Sequence, residues 1–457
     1  MSNLTAGFID IATWDVMEQN MYGGDCWTYF VRSTQKCTWF TQVPVLLSRA
    51  NGSPGFGQDW SVTVSRAGDY MLYAFLRITI PKVQLLSGNL YGEDGAIRWT
   101  RNLMHNLCSE VTFTFNDLKA AYLDSFFLDF WHQFTTPEGK RDGYEYMIGN
   151  KPELIQPKGS DSYLGSVILN LPLPFFFARD TGVALPTCAI PFNEMHINFR
   201  FRPWEQLLIL DNADNPSQSI VPVVGRDIAV EPKLTKVQVW SNYALVNNDE
   251  RKLMGNALRD ILIEQVQTAP KSEFNPRTST NVNVDIRFSH AVKVLFFAAR
   301  NKTRPNEWSN YSTASSVVTK TAAGFEIDFV PTSAYDPISM AGLTYENTSR
   351  LTDMGSDYFS LIQPYYHAPQ IPLSIGYHMY SYSLAFNDLD AKGSTNYGKL
   401  SNVTVSPKAS ETAIAAANGL LPAGSGANWQ QNFELIFMVV ANNILRVSGG
   451  AVGFPVL

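Results

Sequence analysis

The chain has 457 residues, of which 45% are hydrophobic, 13% aromatic and only 17% charged, and its formal net charge is −6. This length favours about two or three domains over one, and the acidic balance argues against a protein that coats nucleic acid directly. The low charge and many aromatic residues fit either surfaces buried between subunits or one large, well-filled core.

No run approaches the ~20 apolar residues of a membrane-spanning helix. The opening residues also lack the basic start and apolar core of a signal peptide. We therefore expect neither a membrane-spanning segment nor secretion by a classical signal.

Residues 1–30 are expected to form an N-terminal arm. Small and polar residues there alternate with isolated apolar ones such as Phe8, Ile11 and Trp14. A floppy terminus is one interpretation. Disordered tails are usually poor in large apolar residues, however, which favours an arm that becomes ordered against a partner.

Residues 31–215 carry period-two alternation of apolar and polar residues, which predicts half-buried strands. The predicted strands are 60–65, 72–80, 111–115, 167–171 and 195–202. Between them, apolar residues at three-and-four spacing predict a helix over 117–134, capped by Asn116 or Asp117. Residues 152–162 are predicted to be a polar loop.

A linker is predicted over residues 216–232, where prolines follow the polar run DNADNPSQS. It separates a first β domain, 31–215, from a second, 233–457. Proline fixes φ and removes a backbone donor, so a proline-rich segment favours a boundary over a strand.

The second domain repeats the order of elements of the first. Strands are predicted at 282–288, 292–299 and 342–346, and a helix over 348–361 mirrors the strand-then-helix step at 111–134. Residues 377–386 would correspond to 167–177, and residues 433–447 to 195–210. A small-residue loop, 409–428, is expected to be exposed and mobile. Two such units favour two all-β sandwiches or jelly rolls.

No motif predicts catalysis, cofactor binding or a metal site. The histidines show no HExxH, HxH or zinc-type spacing, so we expect no enzyme, cofactor or metal. The carboxylate pairs Asp124/Asp129 and Asp388/Asp390 have the residue types of glycoside hydrolysis, but solvated charges are commoner. A jelly-roll protein that binds or hydrolyses carbohydrate stays as the alternative.

The four cysteines are expected to be reduced and structural. They share no CxxC spacing. The nearest pair in sequence, Cys26 and Cys37, leaves the alternative of one disulfide open.

Several long runs resemble the major capsid proteins of iridoviruses. They span the arm and both halves in the same order: MYGG, GQDWSVTVSRAGDY, RWTRNLMHN, LPLPFFF, RFSHAVKVLFF, LTYEN, GYHMYSYSL, GSTNYGKLSNV and GFPVL.

This resemblance implies an all-β double jelly roll, two consecutive eight-stranded β-sandwiches with short helical insertions. It also implies a homotrimer that forms a pseudo-hexagonal capsomer of the outer icosahedral shell of a large double-stranded DNA virus, assembled in the host cytoplasm. Implied partners are neighbouring capsomers, minor capsid proteins and the penton protein, near an internal viral membrane that the chain does not span. The arm would lie at the capsomer base, and loops 305–323 and 409–428 would reach the outside or neighbouring subunits.

Overall fold

The computed structural model describes residues 2–24, 26–215, 219, 221–256, 258–329, 335–420 and 430–455. Two compact units are present, Met1–Trp39 and Phe40–Leu457. The first contains helices α1 (Ser2–Ala12) and α2 (Val16–Gln19). The Met17 N–H donates to Asp15 Oδ1 at 2.8 Å at the start of α2. The predicted arm is therefore partly helical, and its compact unit extends beyond residue 30.

The first half of the second unit consists of antiparallel sheets. Its strands are β1 (Phe40–Leu46), β2 (Ala50–Asn51), β3 (Asp59–Thr63), β4 (Tyr70–Ile80), β5 (Val83–Gln84), β6 (Gly95–Trp99), β7 (Cys108–Phe115), β8 (Leu118–Asp124), β9 (Tyr163–Leu164), β10 (Val167–Leu173), β11 (Leu185–Pro186), β12 (Met195–Phe201), β13 (Leu208–Asn212) and β14 (Thr235–Val246). Its helices are α3 (Leu103–Leu107), α4 (Ser125–Thr135), α5 (Glu138–Ile148), α6 (Pro152–Ile155) and α7 (Asn248–Asn256). Single 3₁₀ turns lie at Gly92–Asp94, Phe176–Ala178, Thr181–Val183, Thr187–Ala189 and Trp204–Gln206.

The second half is built in the same way. Its strands are β15 (Arg259–Thr268), β16 (Ser272–Phe274), β17 (Val284–Asp285), β18 (Ala291–Asn301), β19 (Val317–Thr321), β20 (Gly324–Asp328), β21 (Ile338–Tyr345), β22 (Thr348–Gly355), β23 (His378–Ser381), β24 (Thr395–Asn396), β25 (Val403–Ala409), β26 (Phe433–Ser448) and β27 (Ala451–Gly453). A π-helix (Tyr358–Ile362) leads into α8 (Gln363–His367), and a 3₁₀ turn (Tyr397–Lys399) and α9 (Glu411–Ala417) follow.

The two halves have the same strand order, which confirms the predicted double jelly roll. In the first half, one sheet runs β1-β14-β4-β10 and the facing sheet runs β3-β12-β7-β8, with β2 at its edge. In the second half the corresponding sheets run β15-β26-β18-β23 and β17-β25-β21-β22. Numbered by their order along the chain, the principal strands pair as 1-8-3-6 and 2-7-4-5 in each half, which is the jelly-roll arrangement.

This order corrects one of the predicted correspondences. Strands β10 and β23 are equivalent, as expected for residues 167–177 and 377–386. Strand β26, however, is the last strand of its roll and corresponds to β14, whereas β12 (Met195–Phe201) corresponds to β25. Matching 433–447 to 195–210 was therefore wrong, because β14 was missed within the proline-rich region.

The predicted start of the second domain at residue 233 also disagrees with the strand pairing. Strand β14 pairs with β4, where Trp240 is opposite Phe75, and with β1, where Trp240 is opposite Leu46. Residues 235–246 are thus the eighth strand of the first roll. Of the predicted linker 216–232, residues 216–218 and 220 lie outside the described residues.

Both predicted helices begin too early because each includes the second strand of a β-hairpin. Residues 118–124 form β8, which pairs with β7 through a two-residue turn at Asn116 and Asp117. Helix α4 begins only at Ser125, where the Phe127 N–H donates to Asp124 Oδ1 at 2.7 Å. Residues 348–355 likewise form β22, and the turn before it has positive φ at Glu346 and Asn347.

Two predicted loops contain helices instead. Residues 152–155 form α6, and residues 411–417 form α9, where Ala413, Ala416 and Ala417 are buried. The expected exposed loop 409–428 is therefore wrong for its first part, because small residues pack closely there. Residues 421–428 lie outside the described residues.

The hydrophobic core does not divide cleanly between the rolls. One cluster joins the first roll to one face of the β15-β26-β18-β23 sheet, through residues such as Phe296 and Met438. A second cluster fills the second roll and takes the opposite face of that sheet, including Phe297 and Phe437. Since side chains alternate along a strand, this sheet is buried on both faces.

Candidate functional site at the junction of the two rolls

Helix α4 forms the apolar part of the junction. The ring of Phe134 stacks on Phe296 of β18 with centroids 5.3 Å apart. Phe130 contacts Phe296, Tyr311 and Tyr377 at 4.8–5.9 Å. Aromatic pairs at such distances stabilise beyond the area that they bury. The helix thus attaches the first roll to the outer face of a second-roll sheet.

A buried ion network crosses the same junction. Arg98 of β6 donates to Asp211 of β13 at 2.7 Å and to Glu307 of the second half at 2.8 Å. Arg304 bonds both carboxylates in turn, at 2.9 Å to Glu307. The side chains of these four residues are at most 9% exposed. Two cations balance two anions, so the network is neutral overall.

The network shifts the pKa of each carboxyl. Burial alone would raise the pKa of Asp211, but Arg98 and Arg304 together lower it below its ordinary value. The same balance lowers the pKa of Glu307. Burial would lower the pKa of Arg304, but the two carboxylates raise it. Asp211, Glu307 and Arg304 are therefore held in their charged forms.

Asp129 of α4 is the centre of a second polar cluster. Its Oδ1 lies 2.6 Å from His105 Nδ1 and accepts from Asn102 Nδ2 at 2.9 Å. Its Oδ2 accepts from Ser309 Oγ of the second half at 2.6 Å. His105 and Asp129 are fully buried. The cluster therefore fixes α4 against both its own roll and the other one.

A third group of charged residues lies beside Trp131 of α4. Arg179 of the first roll contacts Glu264 of β15 at 2.9 Å, and Glu264 also contacts Lys293 of β18 at 2.6 Å. The Arg179 guanidinium stacks over Trp131 at 4.1 Å. Burial lowers the pKa of Arg179. The guanidinium of an arginine that both stacks on an aromatic ring and pairs with a carboxylate is held in a fixed orientation.

The segment after β18 inserts into the first roll. The Asn306 amide donates to the Leu208 carbonyl at 2.7 Å, and Trp308 Nε1 donates to the Gln206 carbonyl at 2.8 Å. Arg202 stacks over Trp308 at 3.8 Å, and burial lowers its pKa to about 10. The prediction that loop 305–323 reaches the outside or neighbouring subunits is therefore wrong for residues 311–316, which are buried, whereas residues 319–320 and 322–323 are exposed.

The candidate catalytic residues have structural partners. Asp124 caps α4 and accepts from Thr268 Oγ1 at 3.2 Å, and Asp129 is the centre of the cluster above. Asp388 pairs with Lys392 on the surface. His378 Nε2 lies 2.7 Å from Asp336 Oδ2. Within the described ranges, no three ligating side chains are grouped as a metal site would require.

Two further expectations concern cysteines and membrane spans. Cys26, Cys37, Cys108 and Cys188 are all free thiols. None of the helices in the described part of the chain is long and apolar enough to cross a membrane.

The residues that join the rolls were not predicted from the sequence. Arg98 and Glu307 are 209 positions apart, and neither belongs to a motif. The one available signal was the run RWTRNLMHN, in which charged and amide residues are interleaved with the apolar residues Trp99, Leu103 and Met104. A buried arginine needs a partner, but its partner cannot be read from local pattern.

Comparisons with known proteins cover both rolls. The family described as large eukaryotic DNA virus major capsid protein matches residues 250–453, and the family described as major capsid protein N-terminus matches residues 28–247. The chain is 58% identical over 465 residues to the major capsid protein of Invertebrate iridescent virus 6, covering 100% of this chain and 99% of that protein. It is 48% identical over 458 residues to that of Lymphocystis disease virus 1 (isolate Darai), with coverage of 100% and 99%.

Solved structures agree with the fold. The PBCV-1 virus capsid chain superimposes with a TM-score of 0.73 at 20% identity, covering 94% of this chain and 100% of that one. The Faustovirus major capsid protein gives a TM-score of 0.67 at 9% identity, with 95% of each chain covered. The two family matches meet between residues 247 and 250, just after β14 ends.

Proposed function

The chain belongs to the family of major capsid proteins of large eukaryotic DNA viruses, and we propose that it forms homotrimers that act as pseudo-hexagonal capsomers. These capsomers would tile the outer icosahedral shell of the virion through many weak lateral contacts. The proposed domains are an arm, a first roll that ends with β14 at Val246, and a second roll from β15 onward.

The junction between the rolls carries this proposal. Two rolls with the same strand order are fused through α4 and the Arg98–Asp211–Glu307–Arg304 network, so each chain presents two similar units in a fixed arrangement. Closed three-fold association of such chains places six rolls in a ring. A six-fold outline from three subunits is the geometry that a hexagonal lattice needs.

The proposed partners are inferred from the exposed apolar side chains of the arm and from the net charge of the chain. The arm exposes large apolar side chains, including Phe8, Ile11 and Trp14, and we propose that they contact minor capsid proteins at the capsomer base, near the internal membrane. Penton proteins and neighbouring capsomers would contact the roll edges. A net charge of −6 argues against direct contact with the genome. Four free thiols fit assembly in the reducing host cytoplasm.

The decisive measurement is the solution mass of the purified full-length protein, with negative-stain images of the same peak. A chain of 51.0 kDa should give a particle of about 153 kDa with a hexagonal outline. A monomer or dimer across the accessible concentration range would contradict the trimeric capsomer.

The role of the arm is tested separately. Deleting residues 1–30 should leave the trimer intact and impair shell assembly, as measured by particle yield in cells that express the other shell proteins. A full-length variant with Phe8→Ser, Ile11→Ser and Trp14→Ser is the matched control for length, and it should show the same defect. Normal shells from both variants would contradict a role for the arm.

The carbohydrate-binding or hydrolysing alternative gains no support at the carboxylates that suggested it. Asp124 and Asp129 are engaged in buried hydrogen bonds, and Asp388 pairs with a lysine. Binding on a glycan array, or release of sugar from a polysaccharide, would be needed to restore that hypothesis.

A further inference from the structure

The two rolls bury their equivalent sheets unequally. In the second roll, the outer face of the β15-β26-β18-β23 sheet is covered by the first roll, with Phe296 stacked against Phe134 of α4. In the first roll, the equivalent β1-β14-β4-β10 sheet has a more open outer face, on which Tyr73 is 47% exposed. The fold therefore covers one of two equivalent surfaces within the chain.

The open face carries an apolar row that crosses all four strands. The strand register places Leu46 opposite Trp240, Trp240 opposite Phe75, and Phe75 opposite Pro172. These four side chains point away from the core, because Phe75 lies between the buried residues Ala74 and Leu76 on β4. A continuous row of apolar side chains on the solvent-facing side of a sheet is typical of an interaction surface.

The element that covers the second roll has an exposed counterpart. Helix α4 follows the β7–β8 hairpin and is buried on nearly every side. The equivalent β21–β22 hairpin is followed by the helical segment 358–367. One side of this segment packs on its own roll, through Phe359 against Phe297 and through Gln363. Its other side exposes Leu361, Ile362, Tyr365 and Tyr366, the last at 71%.

We propose that the exposed side of segment 358–367 in one copy packs on the apolar row of the first roll in a second copy. This contact would repeat between chains the contact that α4 makes within a chain, and it rests on the proposed trimer. The two surfaces differ and belong to the same chain, so the contact is head-to-tail, and the three-fold rotation of the proposed trimer would close it into a ring. Each of six rolls then covers the next.

Charge also pairs the two surfaces. Arg77 lies two residues beyond Phe75 on β4, is exposed and has no ion-pair partner in the described ranges. Asp357 immediately precedes segment 358–367 and is likewise exposed and unpaired among the described side chains. Opposite charges beside two apolar patches favour one docking orientation over others.

Cross-linking between copies tests the contact. In a background with Cys26→Ser, Cys37→Ser and Cys188→Ser, the double variant Tyr73→Cys/Tyr365→Cys is treated with a short bismaleimide reagent. Covalent dimers and trimers are expected on a denaturing gel. Neither Tyr73→Cys nor Tyr365→Cys alone should cross-link, because a head-to-tail contact never brings two equal residues together.

A charge reversal gives an independent readout. Arg77→Asp and Asp357→Arg should each weaken the trimer about tenfold or more in dilution experiments, and the double reversal should restore it. A parent protein that is trimeric without cross-linking in the double-cysteine variant would overturn this contact and leave the proposed function standing. Cross-linking by either single variant would also overturn it. A parent protein that never trimerises would overturn both.

Discussion

Arg98 of the first roll lies 2.8 Å from Glu307 of the second roll, and water reaches almost none of either side chain. The contact places a full charge from each half at the centre of their junction. Its strength depends on Arg304 and Asp211, which complete a neutral set of four. Removing one member should therefore cost more than one hydrogen bond.

The first prediction concerns Glu307→Ala. It leaves the Arg98 and Arg304 guanidinium groups buried with one carboxylate between them, and it should lower the free energy of unfolding by about 3–5 kcal/mol. Chemical denaturation followed by tryptophan fluorescence measures the change. Lys320→Ala removes a surface ion pair with Asp94, and it should barely move the midpoint. Equal effects of the two variants would contradict the central role of the network.

The second prediction is a pH dependence that comes from His132. Burial and, to a smaller extent, the neighbouring His105 lower the pKa of His132 to about 3. The unfolded chain therefore takes up this proton first as pH falls below about 6.5, so the stabilising contribution is present above that pH and is lost below it. His132→Gln should flatten the fall of Tm between pH 6.5 and 4.5.

The control for that measurement is an exposed histidine. His290 has φ of +66°, a region that asparagine tolerates, so His290→Asn changes a histidine without adding backbone strain. Its Tm profile should keep the slope of the parent protein. An unchanged slope in His132→Gln would show that this histidine does not set the acid sensitivity.

The third prediction tests the apolar part of the junction. Phe130→Ala removes a ring that contacts Phe134, Phe296, Tyr311 and Tyr377, and it should cost about 3–5 kcal/mol because the site is closely packed on all sides. Phe8→Ala in the arm removes the same atoms from a side chain that is 66% exposed. It should leave the unfolding midpoint of the rolls unchanged.

The fourth prediction compares two glycines. Gly376 has φ of +88°, and an added Cβ would lie 2.0 Å from the Tyr311 carbonyl oxygen. Gly376→Ala should therefore push Tyr311 from the junction and cost at least about 2 kcal/mol. Gly143 lies within α5 with open space around its Cα, so Gly143→Ala should stabilise by about 0.5–1 kcal/mol. Thermal unfolding should show shifts of opposite sign.

The strands could be predicted from the sequence better than the turns. Alternation at 60–65, 72–80 and 195–202 matches β3, β4 and β12 closely, because a half-buried strand leaves a direct period-two record. The hairpins at Asn116 and at Glu346–Asn347 were missed for one reason. In each case the apolar residues of a strand and a following helix fell by coincidence at three-and-four spacing, and no glycine marked the turn.

Strand β14 was not predicted because of the residues that precede it. Prolines just upstream predicted a domain boundary at residues 216–232, but one strand of the first roll, β14, still follows them. The residues at the junction of the two rolls could not be predicted from the sequence, for another reason. The contacts of Arg98 with Asp211 and Glu307 join positions 113 and 209 residues apart, and such pairings are set by tertiary packing alone.

The shared core has a consequence for synthesis. The face of α4 that carries Phe130 and Phe134 packs on a sheet whose strands include β18 and β26, and β26 (Phe433–Ser448) is synthesised long after α4 (Ser125–Thr135). At ordinary rates of translation, these rings remain without their final packing partners for on the order of ten seconds or more. The nascent first roll therefore carries a bare aromatic surface through most of the synthesis of the second, and during that time this surface is exposed to misassembly.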